Sequence, residues 1–202
     1  MMLRLAIPFS LVFLMIPAAQ AKVAVGEPAP EFSVVDSQGK TRSLREFKGK
    51  MVVLEWNNPE CPFVKKHYGS GNIPGQQQAA TKDGVIWLTL NSGAVGKQGN
   101  VDGKAADAYV AANKGSPTHY LIDKEGTVGH LYGARTTPHM FVIDGAGVIR
   151  YMGAIDSVPS ADKADLKDAT QYVPQALKEL AAGKTVSVPS SEPYGCSVKY
   201  GS

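Results

Sequence analysis

The chain has 202 residues, in which 21 lysines and arginines oppose 18 acidic residues for a formal net charge of +3. Hydrophobic residues make up 44% of the composition, an ordinary fraction for a globular chain. The basic residues are scattered among acidic ones and form no basic stripe with interleaved aromatic residues, so we expect no nucleic-acid partner.

The first 21 residues have the pattern of a targeting segment. Residues 1–4 are positively charged, residues 5–17 are almost wholly apolar, and Ala19 and Ala21 occupy the two positions that a signal peptidase reads. This pattern predicts a secretory signal peptide at 1–21 that is cleaved before Lys22. The alternative is an uncleaved anchor, but the apolar run of about 13 residues is shorter than the roughly 20 that a spanning helix needs.

The export signal sets the expected compartment and domain organisation. We expect a periplasmic protein, with a eukaryotic secretory route left open, and no membrane span after cleavage because no second long apolar run exists. The remaining length fits one domain. We assign residues 22–185 to that domain and residues 186–202 to a C-terminal tail, which carries Cys196.

The first half of the mature chain alternates strands and helices. The pattern predicts, in chain order, a strand at 31–35, a helical turn at 43–47, a buried strand at 51–56, a helix at 62–68 and a buried strand at 84–90. Four glycines and prolines between positions 69 and 75 are expected to loosen or end the helix.

The second half continues the alternation and adds a hairpin. It predicts a helix at 104–113, a strand at 119–123, a helical or irregular segment at 126–132, hairpin strands at 140–143 and 148–151, and an amphipathic helix at 164–182. Pro174 lies inside this last helix and is expected to start a new helical segment there. The order predicts an α/β fold with a central mixed β-sheet flanked by helices.

Cys61 is the strongest candidate for chemistry. It follows the buried strand and the turn after it, and Pro62 occupies the favoured first position of a helix. A sulfur at a helix N-terminus faces unpaired N–H groups and the positive end of the helix dipole, both of which favour the reactive thiolate. The alternative is an inert structural cysteine. The redox interpretation requires a Cys61 sulfur that ionises easily and that partners can reach.

Glu55 lies inside the apolar strand, six residues before Cys61. Burial of a carboxylate raises its pKa, and such an acid near a thiol can take or give the proton that disulfide exchange requires. The alternative is that Glu55 turns to an edge or pairs with a lysine.

Several motifs resemble the AhpC/TSA-type, peroxiredoxin-like branch of the thioredoxin superfamily. The likeness covers roughly residues 24–157, and its most specific parts are Cys-Pro-Phe-Val at 61–64 and Thr-Pro at 137–138. The resemblance implies a thioredoxin-like fold and a catalytic Cys61, with Glu55 at the position of the buried acid of thioredoxins. It further implies a cis Pro138 facing Cys61, which leaves the backbone of Thr137 free to pair with an extended partner chain.

The sequence departs from this family at informative positions. Thioredoxins have a second cysteine three residues after the first, where this chain has Val64. Peroxiredoxins have a Thr or Ser that holds the peroxide three residues before their cysteine, where this chain has Asn58. Arg135 lies near the Thr-Pro motif, where it can stabilise a thiolate or a peroxide oxygen. We therefore expect exchange with thiols to exceed peroxide turnover.

Cys196 is the only other cysteine. Since Val64 cannot resolve a mixed disulfide or sulfenic acid on Cys61, a mobile tail carrying Cys196 is the candidate for that role. A fixed structural disulfide, pairing between subunits and free thiols remain as alternatives.

The resulting hypothesis is an exported thiol–disulfide oxidoreductase with catalytic residues Cys61, Cys196, Glu55, Thr137 and Pro138. Its expected partners are protein or small-molecule thiols and disulfides, with peroxides as further substrates and no cofactor or resident metal.

Two alternatives to this hypothesis stay open. The first is a periplasmic copper-handling protein in which His67, His139 and the two cysteines converge, although both histidines have the context of ordinary surface or loop residues. The second is a non-enzymatic domain with a structural disulfide.

Overall fold

A computed structural model describes residues 23–201. The predicted signal peptide therefore lies outside the described residues. Within them, no helix combines the length and apolarity needed to cross a membrane. The strands are β1 Ser33–Val35, β2 Thr41–Ser43, β3 Val52–Trp56, β4 Ile86–Asn91, β5 His119–Ile122, β6 Thr136–Thr137, β7 His139–Ile143, β8 Ile149–Gly153 and β9 Cys196–Ser197. The helices are α1 Pro62–Gly69, α2 Asn72–Lys82, α3 Gly103–Ala112, α4 Thr127–Tyr132 and α5 Tyr172–Ala181, with 3-10 turns at Leu44–Phe47 and Lys163–Lys167.

A five-stranded mixed sheet forms the centre of the fold, in the order β5-β4-β3-β7-β8. Strand β3 is parallel to β4 and antiparallel to β7, so that Glu55 lies between Thr89 and Met140. All five residues of β3 are buried, as its continuous apolar sequence predicts for a central strand covered on both faces. The predicted α/β fold with helices around a mixed sheet is confirmed.

The two faces of the sheet pack into separate apolar layers. On one face, Val53 and Val142 contact the layer that includes Val64 of α1 and Val173 of α5. On the other face, alternate residues of β3, including Trp56, pack with residues of α4 and the N-terminal segment. Because side chains alternate along a strand, Glu55 falls on the same face as Val53 and hence beneath the helices that follow Cys61.

Helix α2 was not predicted. The glycines and prolines after α1 end that helix at Gly69, but a second helix begins three residues later. Gly71 takes the left-handed conformation at the junction, with φ +77°, which suits glycine. Pro74 lies in the first turn of α2, where its missing N–H has no partner to lose, so it starts this helix rather than breaking it.

The single helix predicted at 164–182 is wrong. The chain forms a 3-10 turn at Lys163–Lys167 and then α5, because the residues between them pair with the segment that follows β8. The Thr170 carbonyl accepts the Ser157 N–H at 3.1 Å, and Asp156 and Gln171 form an antiparallel bridge. Pro174 again lies in a first helical turn, near the new start that was expected for it.

The C-terminal tail is docked on the domain, whereas mobility was expected for it. Strand β9 pairs antiparallel with β6, which immediately precedes Pro138. Further backbone hydrogen bonds run from Val198 N–H to the Arg135 carbonyl at 3.0 Å and from Ala94 N–H to the Lys199 carbonyl at 2.8 Å. Backbone pairing leaves no hydrophobic pattern in a polar, glycine-containing segment, so the sequence alone does not predict that the tail is docked.

Candidate active site

Cys61 occupies the N-cap position of α1, with Pro62 as the first helical residue, as the sequence predicts. A tight turn presents it: the Cys61 N–H donates to the Asn58 carbonyl at 3.0 Å, and the Asn58 side chain accepts the Glu60 N–H at 2.8 Å. The turn thereby places the sulfur at the mouth of α1, where N–H groups of the first turn lack helical partners.

The Thr-Pro segment faces Cys61 from the neighbouring strand. The Thr137–Pro138 peptide bond is cis, as the family resemblance implies. The Cys61 thiol donates to the Thr137 carbonyl at 3.1 Å. Three of the predicted catalytic residues, Cys61, Thr137 and Pro138, therefore meet at one point.

Cys196 joins this group through the β6–β9 pairing. The register places Cys196 directly opposite Thr137, whose hydroxyl donates to the Cys196 carbonyl at 3.5 Å. The tail thus lies where the resemblance expects an extended partner chain. Gly195 makes this approach feasible, because it has φ +136° and a Cβ there would stand 2.1 Å from the Thr137 carbonyl oxygen.

The two thiols have opposite electrostatic environments. Burial raises the pKa of Cys61, but hydrogen bonds from the Cys196 thiol, the Val64 amide and the Thr137 side chain together outweigh burial and lower it. The pKa of Cys196 is raised to about 11, first by burial and then by the interaction with Cys61. Cys61 is therefore the sulfur that ionises first, and Cys196 is its proton-bearing neighbour.

Cys61 is fully buried, with 0% of its surface exposed. This differs from the accessible sulfur that the redox interpretation requires. The residue beside the buried sulfur is the chain's own Cys196, which is partly exposed. Partners from solution can reach Cys61 only after residues packed around it move, and Cys196 of the tail is one of these residues. Cys196 itself is partly exposed and needs no such movement.

Glu55 is completely buried and accepts five hydrogen bonds. Asn57 and Tyr68 donate to one carboxylate oxygen at 3.1 and 2.8 Å. Gln77, Trp87 and Thr89 donate to the other at 3.1, 2.8 and 3.1 Å. Burial raises the pKa of Glu55, while these donors work in the opposite direction. The alternatives of an edge position or a lysine partner are wrong, and none of the five donors is Cys61.

The residues at which the sequence departs from the family motifs, together with the nearby Arg135, make other contacts in this structure. Val64 is buried in the apolar core, and both polar groups of Asn58 are used within loops, the amide donating to the Gln98 carbonyl at 3.3 Å. Arg135 forms an exposed ion pair with Glu192 at 2.9 Å. None of these contacts places a peroxide-binding group on Cys61.

Lys66 and both candidate histidines are buried, so the expectation of surface or loop histidines is wrong. Burial lowers the pKa of His67 to about 4 and that of His139 to about 3. Lys66 turns away from Cys61 and pairs with Asp156 at 3.6 Å. Residues 23–201 contain no group of three or more His, Cys, Asp or Glu side chains arranged to hold a metal.

Sequence reasoning missed a buried polar cluster beside the site. It consists of Lys66, His67, Asp156 and Tyr194, which come from α1, the segment after β8 and the tail. The only sequence signal was the Lys-His pair at 66–67, and its partners lie some 90 and 127 positions further along the chain.

Comparison with known proteins identifies the family of the chain. The sequence model of the AhpC/TSA family matches residues 25–152. The thiol-disulfide oxidoreductase ResA of Geobacillus thermodenitrificans is 31% identical over 135 residues, which cover 63% of this chain and 68% of the relative. Chloroplastic peroxiredoxin Q of Gentiana triflora is 30% identical over 142 residues, covering 60% of this chain and 64% of that protein.

Solved structures share the fold. An uncharacterised conserved protein of Geobacillus kaustophilus superposes with a TM-score of 0.75 at 22% identity, covering 93% of this chain and 98% of the other. The thioredoxin domain of a thiol-disulfide oxidoreductase from Bacteroides vulgatus has a TM-score of 0.52 at 18% identity, over 73% and 97% of the two chains. Together with the family match over most of the chain, these similarities show that the protein belongs to the AhpC/TSA family of thioredoxin-fold oxidoreductases.

Proposed function

We propose that the protein is an exported thiol–disulfide oxidoreductase in which Cys61 and Cys196 form one internal redox pair. The observation that carries this proposal is the register of β6 and β9, which sets Cys196 opposite the residue whose carbonyl contacts the Cys61 sulfur. The difference between the two thiols supports it, because Cys61 ionises first and Cys196 keeps its proton.

The reaction follows from these positions. The Cys61 thiolate attacks a partner disulfide, forms a mixed disulfide and releases one partner thiolate. The Cys196 sulfur, on losing its proton to solvent, then attacks the Cys61 sulfur and displaces the second partner thiolate. The two protein thiols lose two electrons, which reduce the partner disulfide to two thiols; the reverse sequence oxidises a partner dithiol.

The tail determines how a protein partner gains access. We infer that an extended partner segment pairs with Thr137 beside Pro138, at the edge that β9 now occupies. The tail must leave β6 before such a partner binds. A small disulfide needs a smaller opening, so we expect small-molecule partners to react faster than folded proteins.

Thiol exchange is favoured over peroxide reduction. Asn58 replaces the residue that holds peroxide in the family, and its side chain is engaged by Glu60 and Gln98. Arg135 is paired with Glu192 at the surface rather than directed to the sulfur. Glu55 remains in the proposal as an acid that tunes proton transfer at Cys61, and its raised pKa supports this role.

Periplasmic location also remains part of the proposal. It depends on the signal-peptide pattern of residues 1–21, and an oxidising compartment would favour pairing of the two cysteines. A non-enzymatic domain with a permanent disulfide is disfavoured because the lowered pKa of Cys61 is typical of a reactive sulfur rather than a structural one.

The test compares two substrates with three proteins. Wild type, Cys61→Ser and Cys196→Ser are assayed for reduction of a mixed protein–glutathione disulfide and for consumption of hydrogen peroxide. We expect exchange to exceed peroxide consumption in the wild type and to vanish in Cys61→Ser. In Cys196→Ser the reaction should stop at a mixed disulfide that mass spectrometry detects. Peroxide consumption faster than exchange would contradict the preference, and full exchange by Cys61→Ser would contradict the proposal itself.

A further inference from the structure

The buried polar cluster identified above fastens the tail immediately before Cys196. We propose that Tyr194 is a positioning residue that holds Cys196 at Cys61 through its contacts with Lys66, His67 and Asp156. We call these four residues the tail latch. The inference rests on the internal redox pair proposed above and concerns how that pair is aligned.

Hydrogen bonds in the tail latch run in one direction. The Asn72 side-chain amide donates to His67 Nδ1 at 2.8 Å, which leaves His67 Nε2 to donate to the Tyr194 hydroxyl at 3.2 Å. The Tyr194 hydroxyl in turn donates to Asp156 Oδ1. His67 is neutral in this arrangement, since burial lowers its pKa to about 4, and burial together with Asp156 raises the pKa of Tyr194. Each of these three hydrogen bonds therefore has a defined donor and a defined acceptor at neutral pH.

Packing fixes the tyrosine ring as well as its hydroxyl. The ring of Phe63 meets the Tyr194 ring edge to face, with centroids 5.7 Å apart. Lys66 Nζ lies 5.9 Å from the centroid of the Tyr194 ring and 3.6 Å from Asp156 Oδ2. The Tyr194 side chain is thus held by a carboxylate, an imidazole, an ammonium group and an aromatic ring.

Helix α1 connects the latch to the reactive sulfur. Its N-cap is Cys61, and the same helix supplies Phe63, Lys66 and His67 to Tyr194. Only Gly195 separates Tyr194 from Cys196, so a fixed Tyr194 ring leaves Cys196 little freedom relative to Cys61. Helix α1 therefore carries the Cys61 sulfur that is attacked and also the residues that hold Tyr194, next to the attacking Cys196.

This arrangement predicts opposite effects on the two steps of the reaction. The latch keeps the tail over the buried Cys61, so loosening it should speed the first attack on an external disulfide. The latch also aligns Cys196, so loosening it should slow the closure that follows. A general loss of stability has no reason to change the two rates in opposite directions, which separates positioning from a merely structural role.

The experiment follows both steps with an aromatic disulfide, dithiobis(nitrobenzoate). The Cys61 thiolate breaks its S–S bond, forms a mixed disulfide and releases one coloured thiolate. Closure by Cys196, whose proton passes to the buffer, then releases the second. Stopped-flow absorbance of the fully reduced protein at neutral pH resolves the two releases as separate phases. Closure within the protein has a rate that does not depend on reagent concentration, whereas direct reaction of the partly exposed Cys196 with a second reagent molecule would accelerate with it and would overturn the internal pair.

Tyr194→Phe removes the hydroxyl and keeps the ring. A hydrogen bond to a charged group stabilises by an amount that corresponds to about tenfold or more in an equilibrium or rate. We expect the second phase to slow about tenfold and the first phase to become several-fold faster. The matched control is Tyr132→Phe, which removes a buried hydroxyl that donates to the Pro30 carbonyl at 2.7 Å, outside the tail latch, and should change neither phase.

Cys196→Ser separates failure of the latch from failure of the redox pair. It should abolish the second phase, and a second phase that survives this substitution overturns the internal pair. If Cys196→Ser abolishes the phase but Tyr194→Phe leaves both rates as in the wild type, the pair stands and the latch is refuted. Phe63→Leu provides a second test should Tyr194→Phe fail to fold: it loosens the ring contact, and unchanged rates in a folded Phe63→Leu protein would also refute the latch.

Discussion

Removal of the Glu55 carboxylate is the sharpest test of how this site is built. Five donors converge on two buried oxygens, so Glu55→Leu removes the acceptor of every one of them. Replacing both partners of a buried hydrogen bond by apolar groups can leave stability unchanged, but Glu55→Leu removes only the acceptor and leaves the buried donors in place. We expect a destabilised protein with an intact fold.

The size of the expected loss in the free energy of unfolding depends on how many of the five donors find new acceptors. The Gln77 amide already lies 3.1 Å from the Tyr68 hydroxyl and 3.4 Å from the Thr89 hydroxyl, and both hydroxyls can rotate. The Trp87 indole N–H and the Asn57 amide have no such substitute among these neighbours. Two unpaired buried donors at about 1–3 kcal/mol each give a loss of about 2–6 kcal/mol in the free energy of unfolding.

Urea unfolding of the reduced protein, followed by tryptophan fluorescence, measures this loss directly. Glu55→Gln is the matched control, because it keeps the shape and one acceptor oxygen and should lose only about 1–3 kcal/mol. A Glu55→Leu protein as stable as the wild type would refute the assignment of Glu55 as the common acceptor. Because we expect Glu55→Gln to stay folded, the same variant also allows the exchange rate to be measured without the titrating acid. An unchanged pH profile of that rate would exclude Glu55 from proton transfer.

Further predictions concern the tail, the buried imidazole and the two thiols. Gly195→Ala forces a Cβ to within 2.1 Å of the Thr137 carbonyl oxygen, so closure of the internal disulfide should slow at least tenfold in the stopped-flow assay; unchanged closure would contradict the β6–β9 register. Burial, aided by Arg135, lowers the pKa of His139 to about 3, so between pH 6.5 and 3 the unfolded state binds more protons and stability falls as pH falls. At pH 5 this amounts to about 2 kcal/mol, which should be absent from the urea unfolding of His139→Gln. In the reduced wild type, pH-dependent alkylation read by mass spectrometry should titrate Cys61 below an ordinary cysteine and Cys196 near 11; the reverse order would contradict the assignment of Cys61 as the nucleophile.

The position of Cys61 at a helix start could be read from the sequence because every cue was local. A continuous apolar strand, a short turn and Pro62 lie within a dozen residues and obey the rules of helix capping. The central sheet was predictable for the same reason, since the apolar pattern of a segment indicates both that it is a strand and that it is buried.

The remaining features depend on contacts between distant segments. The docked tail and the latch join α1 to residues about 90 and 127 positions away, and no local pattern encodes such partners. Helix α2 was missed for a different reason: Pro74 was interpreted as a breaker, whereas the same residue type is favoured in a first turn. The burial of His67 and His139 follows from tertiary packing alone.

The pairing of β9 with β6 brings together the sulfurs of Cys61 and Cys196, which lie far apart in the sequence. A covalent bond between them would turn residues 61–196 into a ring of about 136 residues. In the chain-entropy treatment, a ring of this size restricts the denatured ensemble by about 5 kcal/mol at 25 °C. Oxidation removes two electrons from the pair of thiols and would also stabilise the whole domain, so the melting temperature of the protein would report its redox state.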